Sequence, residues 1–239
     1  MRVIRLDTVD STNTYLHAYR GDEDVVVVTA RHQTAGRGQG GNRWEDAEGQ
    51  NLLFSIQIRP VEVAIDHQFV LAMAEALALK RALDAYADGM ELKWPNDIYH
   101  RDRKLSGTLI ETAVSGGRLK RMILGTGINV NQRRFTSDAP NPVSLSQITG
   151  SDESIDHLLE RILQAFDDYY RRVLEGDYAG ISREYHEALY RHKGFYRYRD
   201  KDGEFDAELV GVAYDGRLSL RDSEGRQRSY AFKEVEFII

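Results

Sequence analysis

The sequence contains no cysteine. That absence excludes a disulfide framework, a thiolate nucleophile and a thiolate metal site together. No apolar run approaches the ~18 residues that a membrane-spanning helix needs. No N-terminal basic stretch leads into an apolar core either, so a cytoplasmic protein is expected, neither secreted nor membrane-bound. An excess of positive charge is also missing: 32 Lys and Arg against 38 Asp and Glu give a net charge of −6. A nucleic-acid binder would show the opposite balance. The acidic residues are scattered, as on a solvated surface. No serine stands in a nucleophile-elbow context, and the seven histidines form no pair at metal-ligand spacing. The 239 residues are 41% hydrophobic and 29% charged, which fits a soluble globular chain of one sizeable domain and a small one.

What is present is concentrated between Gln33 and Trp44, directly after the run Val25-Val26-Val27-Val28. That β-branched, uninterrupted run predicts a buried strand. Gly36, Gly38, Gly40 and Gly41 then let main-chain N–H groups come close to a ligand, and Arg37 and Arg43 add forked, permanent cations. Such a loop can hold an anion. The spacing Gly36-x-Gly38-x-x-Gly41 mimics a dinucleotide fingerprint. That fingerprint requires a helix to begin at the loop, whereas Asn42–Gly49 is polar and aperiodic and leads into the strand-like 52–58. A Rossmann site is therefore rejected.

Elsewhere the pattern predicts a short strand at 3–6, then Asp10-Ser11-Thr12-Asn13, whose side chains could cap a helix or face a small polar ligand. Residues 66–87 read as a long core helix, and a second helix with Ser154 as its cap starts at Ile155. A shorter helix carries Ile181, Tyr185 and Leu189. In Leu92–Tyr99, Pro95 ends a strand in a turn that sets Lys93, Asn96 and Asp97 side by side. Such a turn suits a polyanion with a divalent cation, or is a plain surface turn. Lys104–Glu111 and Arg121–Ile128 read as a hairpin closed near Gly116-Gly117. Gly125 and Gly127 imply close approach by a ligand or by backbone, and Asn129 and Asn131 would share one strand face. Residues 136–146 read as a loop. From about Gly194 several short strands, with a two-residue hairpin at Asp215-Gly216, predict a small β-barrel.

Five motifs then occur in one order and spacing: Asp10-Ser11-Thr12-Asn13, Gln33-Thr34-Ala35-Gly36-Arg37-Gly38, Lys93-Trp94-Pro95-Asn96-Asp97, Lys104-Leu105-Ser106-Gly107 and Gly127-Ile128-Asn129. With the small β domain they make nearly the whole chain resemble biotin protein ligase. The resemblance implies an α+β fold. Residues 1–192 would form a catalytic domain like that of class II aminoacyl-tRNA synthetases, and residues 193–239 an SH3-like barrel. It implies that biotin and ATP, with Mg²⁺, give biotinyl-5′-adenylate and pyrophosphate. The biotinyl group would then pass to a lysine of a biotin carboxyl carrier domain in a biotin-dependent carboxylase. Ser11, Thr12, Asn13, Gln33, Gly36, Arg37, Gly38, Gln39, Trp44, Lys104 and Gly107 would bind biotin, with Trp44 closing the loop over it. Arg37, Lys93, Asn96, Lys104 and Asn129 would bind ATP, and Asn96 and Asn129 the metal. Lys104, Arg37 and Asp97 would be catalytic, Asp97 orienting or deprotonating the acceptor lysine.

Two departures stand out. Gln39 replaces a second arginine present in many relatives, so the loop is less cationic. No aromatic that would stack on adenine is identifiable between Arg133 and Ser144. Because the Ser-Thr-Asn motif begins at residue 11, no DNA-binding domain is expected before it, and no DNA binding; monomer and homodimer stay open. The alternatives are a lipoate or octanoate ligase of the same fold, which lipoate-dependent AMP formation would reveal, and a biotin-binding module without turnover.

Overall fold

The computed structural model describes residues 1–59, 63–136 and 141–239. A seven-stranded sheet forms its centre. The strands are β1 (Arg2–Val9), β2 (Val25–Gln33), β3 (Leu52–Ile58), β4 (Met90–Lys93), β5 (Asp97–His100), β6 (Arg103–Ser115) and β7 (Arg118–Ile128). Their order is β1-β2-β3-β7-β6-β5-β4. Only β1 and β2 run parallel; every other neighbouring pair is antiparallel.

The valine run behaves as its composition dictates. Val25 and Val27 join the larger core, while Val26 and Val28 join a smaller one on the other face with Leu16 and Ile123. A strand buried on both sides has no use for alternation. The larger core is roofed by three helices, α2 (Phe69–Leu83), α4 (Ile155–Leu174) and α5 (Tyr178–Glu187). Helix α2 lies between the sheet and α4 and is buried nearly all round, from Phe69 to Leu83, as expected for a central helix. Helix α4 buries one stripe, including Leu158, Ile162, Phe166 and Val173, and Ser154 accepts from His157 N as its cap. On the opposite face of the sheet α1 (Thr12–Ala18) packs over β2, β3 and β7.

The C-terminal strands β8 (Phe195–Asp200), β9 (Gly203–Val212), β10 (Leu218–Asp222), β11 (Gln227–Tyr230) and β12 (Glu236–Phe237) make an antiparallel sheet ordered β11-β10-β9-β8-β12. Its core residues Tyr198, Val212, Leu218 and Leu220 are continuous with the larger core. Trp94 Nε1 donates to Gly216 O at 2.9 Å, and Phe69 N to Tyr214 O at 3.0 Å, so the β9–β10 loop is bonded to the β4–β5 turn and to the start of α2.

Several expectations change. The Asp215-Gly216 turn is a three-residue loop, because Ala213 N donates to Arg217 O and leaves Tyr214, Asp215 and Gly216 between them. Residues 145–146, expected in a loop, start α3 (Leu145–Thr149), for Ser144 and Gln147 form a capping box. The rest of that expected loop includes 137–140, outside the described residues. Asn129 and Asn131 do not share a strand face: β7 ends at Ile128, and Asn131 turns away to exchange two hydrogen bonds with the Glu153 backbone.

Phe54 is fully buried at the centre of β3. Phe54→Ala is expected to lower the unfolding free energy by about 3–5 kcal/mol, because the cavity it leaves adds to the lost transfer energy. Urea denaturation of both proteins measures it.

Candidate ligand-binding and catalytic site

The face that α1 leaves uncovered is hollow because its strands lack side chains there. Gly107 of β6 lies opposite Gly127 of β7, and Ser55 of β3 opposite Gly125. Above this floor is a cavity of about 620 Å³. Gly125 and Gly127 do meet close neighbours, but these are side chains and not the ligand or backbone expected. A Cβ on Gly125 would lie 1.9 Å from Asn13 Oδ1, and one on Gly127 2.3 Å from the Trp44 ring.

One end of the cavity is neutral and polar. Ser11 begins α1 as its cap residue, but its side chain makes no capping bond and borders the cavity, 3% exposed. The capping role open to it in the sequence is therefore not the one its hydroxyl takes. Thr12 donates from its N (2.7 Å) and Oγ1 (3.1 Å) to Gln33 Oε1. Ser55 Oγ lies 2.7 Å from Thr12 Oγ1 and 2.6 Å from Asn13 Oδ1. Asn13 Nδ2 then donates to Glu111 Oε2 at 2.8 Å. These groups hold one another in fixed orientations, which is what recognition of a small polar ring requires.

The glycine loop folds over this end. Gly38 N donates to Asn42 O (2.7 Å), Trp44 N donates to Gly36 O (3.1 Å), and Arg37 and Arg43 form an antiparallel bridge. No helix starts here: Gln39–Gly41 is one 3₁₀ turn, with Gly40 and Gly41 at φ 69° and 92°. Gly36 itself stands behind Trp44 and borders a second, smaller cavity outside the loop. Trp44 Nε1 is buried and has no protein acceptor among the described residues, so an indole donor is available at the cavity wall. Arg37 reaches Glu111 Oε1 at 3.1 Å. Burial pushes the Glu111 carboxyl up, but hydrogen bonds from Asn13 and His17 and the Arg37 charge outweigh it and hold the group below its usual value.

The other end is cationic. The Trp94-Pro95-Asn96 turn between β4 and β5 presents Lys93, Asn96 and Asp97, and β6 presents Lys104. Lys104 Nζ sits 2.7 Å from Asp97 Oδ1, both against Gly107, whose added Cβ would be 3.1 Å from each. Lys93 Nζ lies between the rings of Tyr99 (5.2 Å) and Phe237 (4.8 Å); burial lowers its pKa, with the Asp97 charge partly opposing. Asn96 Nδ2 donates to Thr108 O and Asn129 Nδ2 to Val143 O. With their amide nitrogens committed, both side-chain oxygens are left to face a cation or a donor. Among the described residues no cluster of three or more His, Asp or Glu could hold a metal by itself.

All the site residues proposed from the sequence except Gly36 border this one cavity: Ser11, Thr12, Asn13, Gln33, Arg37, Gly38, Gln39, Trp44, Lys93, Asn96, Asp97, Lys104, Gly107 and Asn129. Sequence reasoning missed Glu111, Phe135, Phe232 and Lys233. Phe135 lies in the Arg133–Ser144 interval and borders the cavity. Phe232 and Lys233 come from the C-terminal sheet, and Lys233 Nζ approaches Gly40 O at 3.5 Å. Nothing in their local sequence marks them, since only tertiary contact brings residue 233 to residue 40.

Comparison with known proteins accords with this geometry. The family model described as the biotin/lipoate A/B protein ligase family matches residues 6–129, and the chain belongs to that family. The bifunctional ligase/repressor BirA of Bacillus spizizenii is 30% identical over 239 residues, covering 96% of this chain and 72% of that protein. A biotin–[acetyl-CoA-carboxylase] ligase of Paracoccus denitrificans is 29% identical, over 93% of this chain and 95% of that protein. The biotin protein ligase of Aquifex aeolicus, solved with biotin and ATP, superposes with a TM-score of 0.82. Its identity is 26%, covering 98% of this chain and 97% of that one.

A side chain at residue 127 would occupy the space of the Trp44 ring. Gly127→Val is expected to expel Trp44 from the floor, shifting its fluorescence to the red with little change in the helical circular-dichroism signal. Unchanged emission would mean that Trp44 does not depend on the floor.

Proposed function

We propose that this chain is an ATP-dependent biotin protein ligase that makes biotinyl-5′-adenylate and transfers biotin to a lysine of a biotin carboxyl carrier domain in a biotin-dependent carboxylase. The observation that carries the reading is the two-ended cavity. Its neutral end offers fixed hydroxyl and amide groups, while its walls bring in five cationic side chains, Arg37, Arg43, Lys93, Lys104 and Lys233, against two carboxylates, Glu45 and Asp97. In a protein of net charge −6, that local excess fits a ligand with a neutral polar head and an anionic tail, joined to a polyphosphate.

The ureido ring of biotin is assigned to Ser11, Thr12, Asn13 and Gln33, with Trp44 as lid and Gly36, Gly38, Gln39 and Gly107 as close walls. Biotin's carboxylate and the α-phosphate of ATP repel one another. Arg37 and Lys104 offset that repulsion and hold the attacking oxygen in line with the phosphorus. The C–O–P bond forms as the bond to pyrophosphate breaks. Lys93, Asn96 and Asn129 are placed on the triphosphate. Mg²⁺, which travels with ATP, would be met by the side-chain oxygens of Asn96 and Asn129 and would neutralise phosphate charge. Neutral oxygen donors facing the same cavity as the phosphate-binding lysines fit such an ion.

In the second half-reaction the acceptor lysine, with a reference pKa near ~10.4, must lose a proton before it attacks. Asp97 is paired with Lys104. Once phosphate engages Lys104, the Asp97 carboxylate is released to orient the incoming amine or take its proton. Attack forms the amide bond, and AMP leaves. A closed Trp44 loop excludes water that would otherwise hydrolyse the adenylate. We divide the chain into a catalytic domain of the class II synthetase type, residues 1–192, and an SH3-like domain, residues 193–239, whose Phe232 and Lys233 border the site.

The test is pyrophosphate release on mixing protein, ATP, Mg²⁺ and biotin, with lipoate as control, followed by streptavidin detection of an added carrier domain. Biotin-dependent pyrophosphate and a labelled carrier are expected, with Lys104→Ala reducing both by about 10²-fold or more. Lipoate-dependent release, or biotin binding without pyrophosphate, would overturn the assignment.

A further inference from the structure

Glu75 is the only charged side chain among the buried residues of α2, and it is 2% exposed. No cation pairs with it among the described residues. Its partners are two hydroxyls. Thr126 Oγ1 lies 2.6 Å from Glu75 Oε1, Thr108 Oγ1 lies 3.3 and 3.4 Å from its two oxygens, and the two threonine oxygens are 2.9 Å apart. Thr108 and Thr126 stand opposite each other in the β6–β7 ladder and border the cavity from below.

Burial without a cation identifies the state of the acid. The two short contacts use the two threonine protons, Thr108 donating to Thr126 and Thr126 to Glu75. A carboxylate here would bury a charge that no cation offsets. A carboxylic acid removes that charge and turns a third proton toward Thr108, whose oxygen is 3.3 and 3.4 Å from the carboxyl oxygens, which closes the ring. Burial pushes the group in the same direction, to about 7, against the two threonine hydrogen bonds. Among the described residues no ion pair or hydrogen bond joins Glu75 to a charged group of the elements packed on α2. From α4 and α5 the titratable groups in or against the same core are phenols, Tyr169, Tyr170, Tyr178 and Tyr185, and burial raises Tyr169, Tyr170 and Tyr185; β4 and β5 turn in Leu92 and Ile98.

The ring lies directly beneath groups assigned to the ligand. Thr108 N donates to Asn96 O at 2.8 Å and Thr108 O accepts from Asn96 Nδ2. Thr126 sits between Gly125 and Gly127, on which Asn13 and Trp44 rest. The geometry points to Glu75 as a positioning residue held as a neutral acid: its proton closes the ring that fixes Thr108 and Thr126 beneath the cavity, and ionisation opens the ring and loosens the cavity floor. For its ligand readout this inference rests on the function proposed above.

Glu75→Gln separates the possibilities, because a glutamine amide accepts from Thr126 and donates to Thr108 at every pH. Both full-length proteins are compared from about pH 5, where the folded and unfolded states differ in bound proton, to about pH 9, where both are ionised. Three quantities are read: unfolding free energy in urea, tryptophan emission without ligand, and biotin affinity. The folded-state value is raised from 4.5 to about 7, so the stabilising contribution is full below the lower value and lost as pH rises through the upper one. The wild type is therefore expected to lose stability relative to Glu75→Gln up to about pH 7 and then run parallel to it. Wild-type emission should shift, and its biotin affinity weaken by about fivefold or more, over the rise through that same value, with neither change in Glu75→Gln. Superimposable stability curves would overturn the neutral acid. Separate stability curves with identical emission and affinity profiles would overturn the positioning role. If biotin binds neither protein at any pH, the proposed function falls, and the two ligand-free readouts still decide the ring.

Discussion

The site depends on an absence of side chains along one face of the sheet. Gly107, Gly125 and Gly127, with the small Ser55 beside them, leave a trough that α1 does not fill. Two larger groups drop into it. Asn13 rests on Gly125, which sets its amide against Glu111, and Glu111 in turn holds Arg37. Trp44 rests on Gly127 and draws the glycine loop down with it. A single methyl group at either glycine would collide with these side chains, and a close-packed interior has no slack to absorb the shift.

Charge is arranged on the same floor. The protein is acidic as a whole, yet the cavity collects cations and holds two of them on carboxylates: Arg37 on Glu111 and Lys104 on Asp97. Such pairing holds both cations in fixed orientations at the cavity wall. Exposed ion pairs are worth little to stability, and Arg37 is half exposed; its pairing therefore matters for orientation.

The two sheets meet at the cationic end. Lys93 projects between Tyr99 of β5 and Phe237 of β12, the Trp94 indole is anchored on Gly216, and Lys233 reaches the glycine loop. A continuous hydrophobic core joins the sheets behind these contacts. The C-terminal segment thus borders the cavity as well as extending the fold, and it touches the glycine loop at Gly40 through Lys233.

Local features were readable in the chain because they are set by neighbours a few residues away. The valine run of β2, the capped amphipathic α4, the Gly-rich loop that begins no helix and the Pro95 turn all follow from propensity, periodicity and backbone restriction. The motifs also named most residues bordering the cavity. What the sequence could not show was which groups fill the empty positions. Close approach at Gly125 and Gly127 was apparent, but the approaching atoms belong to Asn13 and Trp44, some 80 to 110 residues away. The three-residue Tyr214–Gly216 loop, the turning away of Asn131 and the seating of Glu75 under two threonines likewise depend on contacts between distant segments. By itself the sequence determined the elements, the glycine positions and the chemical groups available. Only the tertiary structure decided which of those groups meet, because pairing register and packing against the opposite strand set distances that no local pattern encodes.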